Sequence, residues 1–278
     1  MREIKSGLIT QAVKKLSLDA AYFLPHDVVK ALKDFAEKEK NKRAKTMLYK
    51  IIENHKLSKK CVYPLCQDTG IAVIFLELGD EVKVDGDIYE AINEGVKQGY
   101  SEGYLRKSVA DTLSRHNSGT NTPAIIHTEL VKGSKIKISL MAKGAGSENK
   151  SALKMLPPSA GVDGIKQLVI DTVKAAGASA CPPYIIGVGI GGNFETAPLL
   201  SKKSLLREIG VHHSNKEVAK LEKEMLEEVN QLNIGPMGFG GTTTALAVNI
   251  EKLPCHIASL PVAVNIQCHS DRHKSVVI

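Results

Sequence analysis

Apolar positions near the start of the chain recur at helical spacing. LITQAVKKL (residues 8–16) places its apolar side chains on one face, and VVKALKDFAEKEKNKRAKTMLYKIIENH (28–55) continues the pattern. Residues 1–56 therefore read as helical, with Asp27 a candidate N-cap for the second stretch. The period then changes. IAVIFLEL (71–78) is a continuous apolar run and predicts a strand, and 86–103 a helix despite its glycines. AIIHTELV (124–131) and KIKISLMAK (135–143) flank Lys132-Gly133-Ser134 and predict antiparallel strands joined by a short turn. Beyond them, GAGSENK (144–150) reads as a loop, 161–177 as a helix and YIIGVGI (184–190) as a buried strand. Residues 195–208 and 215–232 read as helices, and HIASLPVAVNIQC (256–268) holds a strand-like run around Pro261. The fold class expected is α/β (mixed α+β): a helical N-terminal region, then a mixed sheet with packed helices. No repeat, low-complexity linker or compositional break appears, so one domain over 1–278 is expected.

Composition narrows the function classes. The 278 residues are 43% hydrophobic and 24% charged, ordinary for a globular protein able to bury a core. No stretch has the layout of a signal peptide or the roughly 18 apolar residues of a membrane span, so a cytoplasmic protein is expected. The formal charge of +7 raises nucleic acid as a partner. However, the basic residues alternate with glutamates in helical stretches, as on solvated faces, and with no Trp and 4% aromatics no base-stacking platform is expected. A positive field that steers small anions, or a merely soluble Lys-rich surface, accounts for the charge equally well.

Two glycine-rich stretches invite familiar readings and fail them. GVGIGG (187–192) matches G-x-G-x-x-G, but it lies late in the chain, outside any βαβ pattern, and no acidic residue ends a second strand about 20 residues on. Close approach of a neighbouring element explains these glycines as well. GPMGFGGTTTAL (235–246) lacks the lysine of a phosphate loop, although Gly240, Gly241 and the threonines could form an anion-binding turn.

The five cysteines are odd in number and widely spaced, with no C-x-x-C pair, which argues against both a disulfide framework and a local zinc knuckle. Three lie in polar, glycine or proline loops: Cys66 in PLCQDTG, Cys181 in CPPYIIGVGIGG and Cys268 in VNIQCHSDRH. Three thiolates suit an iron–sulfur cluster with an incomplete ligand set. Four cysteines normally make such a cluster an electron carrier. Three leave one iron open to act as a Lewis acid on a substrate hydroxyl, which is the chemistry of hydration and dehydration.

PLCQDTG, KGAGSENK, CPPYIIGVGIGG, GPMGFGGTTTAL and HIASLPVAVNIQCHSDRH, in that order, resemble the α subunit of the class I, iron–sulfur fumarate hydratases. The L(+)-tartrate dehydratase α subunit belongs to the same group. The resemblance runs from about residue 5 to the C-terminus. It implies that Cys66, Cys181 and Cys268 bind a [4Fe–4S] cluster, and that Gln67 and Arg106 bind substrate carboxylates. It also implies that Asp68 and His256 act at the reacting centre, and that the 144–146 loop touches substrate through Gly144 or Gly146. Cys61 and Cys255 match no ligand position and read as structural. The implied reaction is reversible hydration of fumarate to (S)-malate in the tricarboxylic acid cycle, with dehydration of L(+)-tartrate as the alternative. Further substrate-binding residues and the catalytic base are expected on a separate β subunit, in an α2β2 heterotetramer with no nucleic-acid or membrane partner. A non-catalytic, regulatory chain binding zinc through Cys268, His269 and His273 is the reading from another class.

Overall fold

The computed structural model describes all 278 residues. The chain begins with β1 (Arg2–Lys5), α1 (Ser6–Tyr22), α2 (His26–Lys38) and α3 (Lys42–Ser58). It continues through β2 (Ile71–Gly79), β3 (Val82–Asp85), α4 (Ile88–Glu102), β4 (Ile125–Val131), β5 (Ile136–Lys143) and the single turn α5 (Ala145–Glu148). Then follow β6 (Ala152–Leu156), α6 (Gly161–Ala176), β7 (Tyr184–Gly192), α7 (Thr196–Ser204) and α8 (Lys216–Asn230). The chain ends with β8 (Ala245–Cys255), β9 (Leu260–Gln267) and β10 (His273–Val277). The mixed α/β class is as expected. The residues pack as two compact units, each assembled from separate segments. Unit one comprises Met1–Pro25, Asn54–Ala145 and Arg272–Ile278; unit two comprises His26–Glu53 and Gly146–Asp271. No helix is long and apolar enough to cross a membrane.

Unit one is built on a four-stranded sheet in the order β10-β5-β2-β4, beside a parallel β1–β3 pair. The expected hairpin between residues 124 and 143 does not form. Instead β2 lies between the two strands, parallel to β4 and antiparallel to β5. Burial explains the choice. Val73, Ile74, Phe75 and Leu76 are apolar on both faces of β2 and buried, and each is worth about 1.5–3 kcal/mol when removed from water. A central position covers both faces, whereas β4, with Leu130 exposed, tolerates the edge. Ala72, Ile74 and Leu76 alternate onto the face that meets Ile136, Ile138 and Leu140 of β5, Val13 and Leu16 of α1, and Ile92 and Val96 of α4. The glycines of α4 are contact points: a Cβ on Gly95 would lie 2.6 Å from the Thr10 carbonyl of α1.

Unit two has the strand order β6-β9-β7-β8, with β7 parallel to β8 and antiparallel to β9. Its core is Ile186 and Val188 of β7, Val262, Val264 and Ile266 of β9, and the inner faces of α6 and α8. The GVGIGG glycines serve packing, not a dinucleotide. A Cβ at Gly187 or Gly189 would sit 2.0 Å from the Ser201 or Ala197 carbonyl, so α7 lies directly on β7.

The stretch expected as one helix over 28–55 breaks at Glu39–Asn41. Asn41 Oδ1 accepts from the Arg43 and Ala44 N–H groups and starts α3 afresh. Asp27 is not an N-cap; it lies in the first turn of α2 and its Oδ2 accepts from the Ile209 N–H. Glu39 turns inward to the glycine-rich 235–244 segment. Its Oε2 accepts the N–H and hydroxyl of both Thr242 and Thr243, and its Oε1 accepts the Asn41 N–H. The anion-binding turn suspected in GPMGFGGTTTAL is thus already filled by the protein's own carboxylate.

Burial alone would raise the Glu39 pKa, but those five hydrogen bonds outweigh it and hold the group below the usual carboxylate value. Its stabilisation is therefore complete above the unfolded pKa near ~4.3 and is lost as pH falls through the depressed folded value. Glu39→Gln is expected to cost about 2 kcal/mol at pH 7, and the gap to the parent should narrow as acid protonates Glu39. Urea unfolding of both proteins between pH 7 and 3 checks this. A gap independent of pH contradicts it.

Candidate active site

In unit one the candidate residues gather at one end of the sheet. Cys66, Gln67 and Asp68 precede β2, Gly144 follows β5, and Arg272 precedes β10. Since β5 runs antiparallel to both β2 and β10, all three connections leave from the same end. The preceding residue, Leu65, is pinned by its N–H to the Ala21 carbonyl and by Asn54 Nδ2 donating to its carbonyl. The Thr69 hydroxyl donates to the Arg106 carbonyl over 2.7 Å, which ties the loop to the backbone of that arginine.

Asp68 is the centre of this arrangement. Its Oδ1 accepts the Gly70 N–H at 3.0 Å and its Oδ2 the Ala145 N–H at 2.8 Å. Its carbonyl accepts from Arg272 Nη1. Below it, the buried Tyr100 hydroxyl donates to the Thr69 and Gly70 carbonyls. Burial pushes the Tyr100 phenol up to about 12, Asp68 adds to the rise and Arg272 opposes it, so the group stays a protonated donor at neutral pH.

Gln67 and Arg106 face solvent. Gln67 is exposed, and its Oε1 lies 3.4 Å from the half-buried Cys66 Sγ, which leaves the amide NH2 to donate elsewhere. The Arg106 side chain is exposed. Gly144 is buried, and a Cβ there would lie 3.1 Å from Asp68 Oδ2 and 3.3 Å from Arg272 Nη2. A Cβ at 144 would crowd both side chains, each of which would have to give by a few tenths of an ångström.

In unit two the structure brings Cys181 and Cys268 into one neighbourhood. His269, directly after Cys268, directs both its N–H (3.3 Å) and its ring Nδ1 (3.0 Å) at the Cys181 carbonyl. Cys181 itself holds a left-handed φ of 56°. Both thiols are half-buried and lie near the Tyr184 phenol, whose pKa is raised by burial and further by their negative charge. Behind Cys268, Gln267 donates to Asp271 Oδ1 at 3.0 Å and so braces the turn of residues 267–271. His256 is exposed beyond the end of β8; its Nδ1 accepts the Ala258 N–H, so in the neutral ring Nε2 carries the proton. Gly146 is exposed, and a Cβ there would meet only the Ser179 carbonyl, at 4.0 Å. Cys61 and Cys255 are exposed.

Sequence reasoning missed Arg272. It stands inside the HSDRH stretch, where an arginine among polar residues reads as surface, yet it is 2% exposed and among the largest fully buried side chains. Its place one residue before β10 shows only in the structure, because residues 273–277 do not read as a strand in the sequence. A cavity of about 590 Å³ in unit one, lined by Leu18, Tyr22, Phe23, Tyr63, Pro64 and Tyr104, contains none of the candidate residues. No group of three or more His, Cys, Asp or Glu residues is placed to hold a metal ion.

The chain belongs to the fumarate hydratase (Fumerase) family, whose profile matches residues 10–277. It is 47% identical over 271 residues, 95% of each chain, to a Methanocaldococcus jannaschii protein named "Putative L(+)-tartrate dehydratase subunit alpha". It is 30% identical over 279 residues to the "L(+)-tartrate dehydratase subunit alpha" of Escherichia coli (strain K12), covering 96% of this chain and 92% of the relative. The protein of that name from Escherichia coli (strain UTI89 / UPEC) is 31% identical over 273 residues, covering 94% and 90%. Membership makes the protein a hydro-lyase, an enzyme that adds or removes water at a carbon–carbon double bond.

Tyr100→Phe removes the hydroxyl that donates to the Thr69 and Gly70 carbonyls and leaves the Thr69 carbonyl short of a donor. A loss of about 1–2 kcal/mol in unfolding free energy is expected, measured by denaturant titration at pH 7. A variant as stable as the parent would mean that this bond contributes nothing net.

Proposed function

We propose that the chain is the α subunit of a two-subunit hydro-lyase that reversibly hydrates fumarate to (S)-malate. In this reading Cys66, Cys181 and Cys268 hold a [4Fe–4S] cluster, and a separate β subunit completes the site. The observation that carries it is the gathering of the Cys66–Asp68, Gly144 and Arg272 segments at one sheet end in a chain matched by the family over residues 10–277. The donor set suits the cluster: three half-buried thiols, two of them held in one neighbourhood through His269. When bound, a cluster held by three cysteines supplies one iron with open coordination and Lewis acidity toward a hydroxyl.

The chain's own groups have separate tasks. The exposed Arg106 guanidinium can grip one substrate carboxylate with a two-pronged hydrogen bond. The exposed Gln67 NH2 donates to a carboxylate oxygen. Asp68 accepts two backbone N–H bonds and so keeps a fixed orientation, its remaining lone pairs open to a substrate hydroxyl proton. His256 presents its Nε2 proton to an oxygen at the reacting centre. In dehydration the C3–H bond of malate breaks, its electron pair forms the C2–C3 double bond, and hydroxide leaves C2 and gains a proton to become water. The base that takes the C3 proton is assigned to the β subunit, as the two-subunit reading requires.

L(+)-tartrate is the second reading, favoured by the names of the relatives at 47% and 30% identity. It involves the same elimination, with one more hydroxyl to accommodate. Turnover of both substrates by the α and β chains, purified together without oxygen, separates the two. Malate is expected to be used at least about tenfold better by kcat/KM, a difference of ~1.4 kcal/mol in transition-state binding. The reverse preference assigns the tartrate activity, and no turnover of either rejects the proposal.

Iron and sulfide content of five single Cys→Ala variants tests the ligand set. Loss is expected for Cys66, Cys181 and Cys268, and full content for Cys61 and Cys255. Full content in any of the first three removes that residue from the set.

A further inference from the structure

Arg272 is a buried cation with a poor return on its burial. Removing a guanidinium from water is costly unless its donors are met, yet Nη1 has one acceptor, the Asp68 carbonyl, and the buried Nε has none. No carboxylate pairs with it within ion-pair distance, although Asp68 Oδ2 and Arg272 Nη2 flank the same bare face of Gly144, at 3.1 and 3.3 Å from where a Cβ would be. Such a residue is a weak contributor to stability, and its geometry converges on a single neighbour.

That neighbour is fixed from three sides. The N–H groups on the Asp68 carboxylate come from Gly70, at the entrance to β2, and Ala145, just beyond β5. Arg272 enters β10, and its own carbonyl accepts the Ala142 N–H of β5 at 2.9 Å. One side chain therefore reaches from the β10 connection to the backbone of the β2 connection, across the glycine that follows β5.

We infer that Arg272 is a positioning residue: it fixes the Asp68 backbone and the Gly144–Ala145 turn, and thereby aims the Asp68 carboxylate at substrate. Its role in turnover rests on the proposed hydro-lyase reading, whereas its role in fixing the turn does not. Gly144 belongs to the same device, as the bare backbone that guanidinium and carboxylate both flank. A side chain acting through Asp68 should alter the rate of the bound complex more than the binding of substrate.

The experiment compares Arg272→Gln and Arg272→Lys with the parent, each purified without oxygen together with the partner subunit. Hydrogen exchange is read at the Gly70 and Ala145 amides, with Ile74 and Leu140 of the inner strands as internal reference. In Arg272→Gln the first pair should exchange at least about tenfold faster while the reference pair is unchanged. On whichever substrate the parent uses, kcat should fall about a hundredfold with KM within about threefold, since small misplacements of reacting groups cost rates of that order. Arg272→Lys should recover at least about tenfold of the loss. Gly144→Ala, which keeps the arginine, should show the same pattern and serves if Arg272→Gln does not fold. Unchanged exchange at Gly70 and Ala145 overturns the inference, whatever the activity. So does faster exchange at all four amides, which would make Arg272 a general stabiliser, and so does a raised KM with unchanged kcat, which would make it a substrate ligand. A parent inactive on every substrate tried rejects the functional reading alone, because the exchange data still decide the positioning role.

Discussion

Three connections must leave the same end of the unit-one sheet and hold chemically useful residues in a fixed arrangement. Strand order makes this possible: β2 and β10 each lie beside β5 and antiparallel to it, so the entrances to two strands and the exit of the third coincide. Loops of this kind are ordinarily the more mobile parts of a protein. Here Asp68 works against that tendency, with a carboxylate that accepts N–H groups from two connections and a carbonyl that accepts from the third. Tyr100 closes the arrangement from the core side. Much of what is proposed for unit one depends on this small polar hub, and its components are polar groups that would be costly to bury singly.

Unit two meets a similar demand by other means. Two cysteine-bearing turns from distant parts of the chain are linked by one histidine that sends both backbone and ring to a single carbonyl. Glu39 restrains the glycine- and threonine-rich segment with four hydrogen bonds, and Arg207 pairs with the fully buried Glu222 at 2.6 Å behind β8. In both units, charged side chains hold loop backbone in place while apolar strands supply the stability. A hydro-lyase requires this division of labour, because elimination of water depends on holding carboxylates and proton carriers steady about one carbon–carbon bond.

The apolar periods of α1, α4, β2, β7 and β9 were legible in the sequence because one side chain's burial is decided by its immediate neighbours. The pairing of β4 was not, since adjacency along the chain favoured a hairpin and only the two-sided burial of β2 overrules it. The helix break at Glu39 was equally hidden: its glutamate is a good helix former, and its partners Thr242 and Thr243 lie about two hundred positions away. Among the candidate residues, Asp68 was legible as chemically placed but not as a structural hub, and Arg272 was not legible at all. Sequence carries residue type and spacing, but a buried cation is recognisable only once the strand that follows it is seen to enter the sheet.

The central proposal is that this chain, together with a partner subunit, adds water to a four-carbon unsaturated diacid. The most direct measurement incubates the α chain and its partner, purified together without oxygen, with fumarate in water enriched in oxygen-18, followed by mass analysis of the product. The expected result is malate bearing one heavy oxygen, located in the C2 hydroxyl. Failure to form labelled malate, in a preparation that retains its iron and sulfide, would contradict the account.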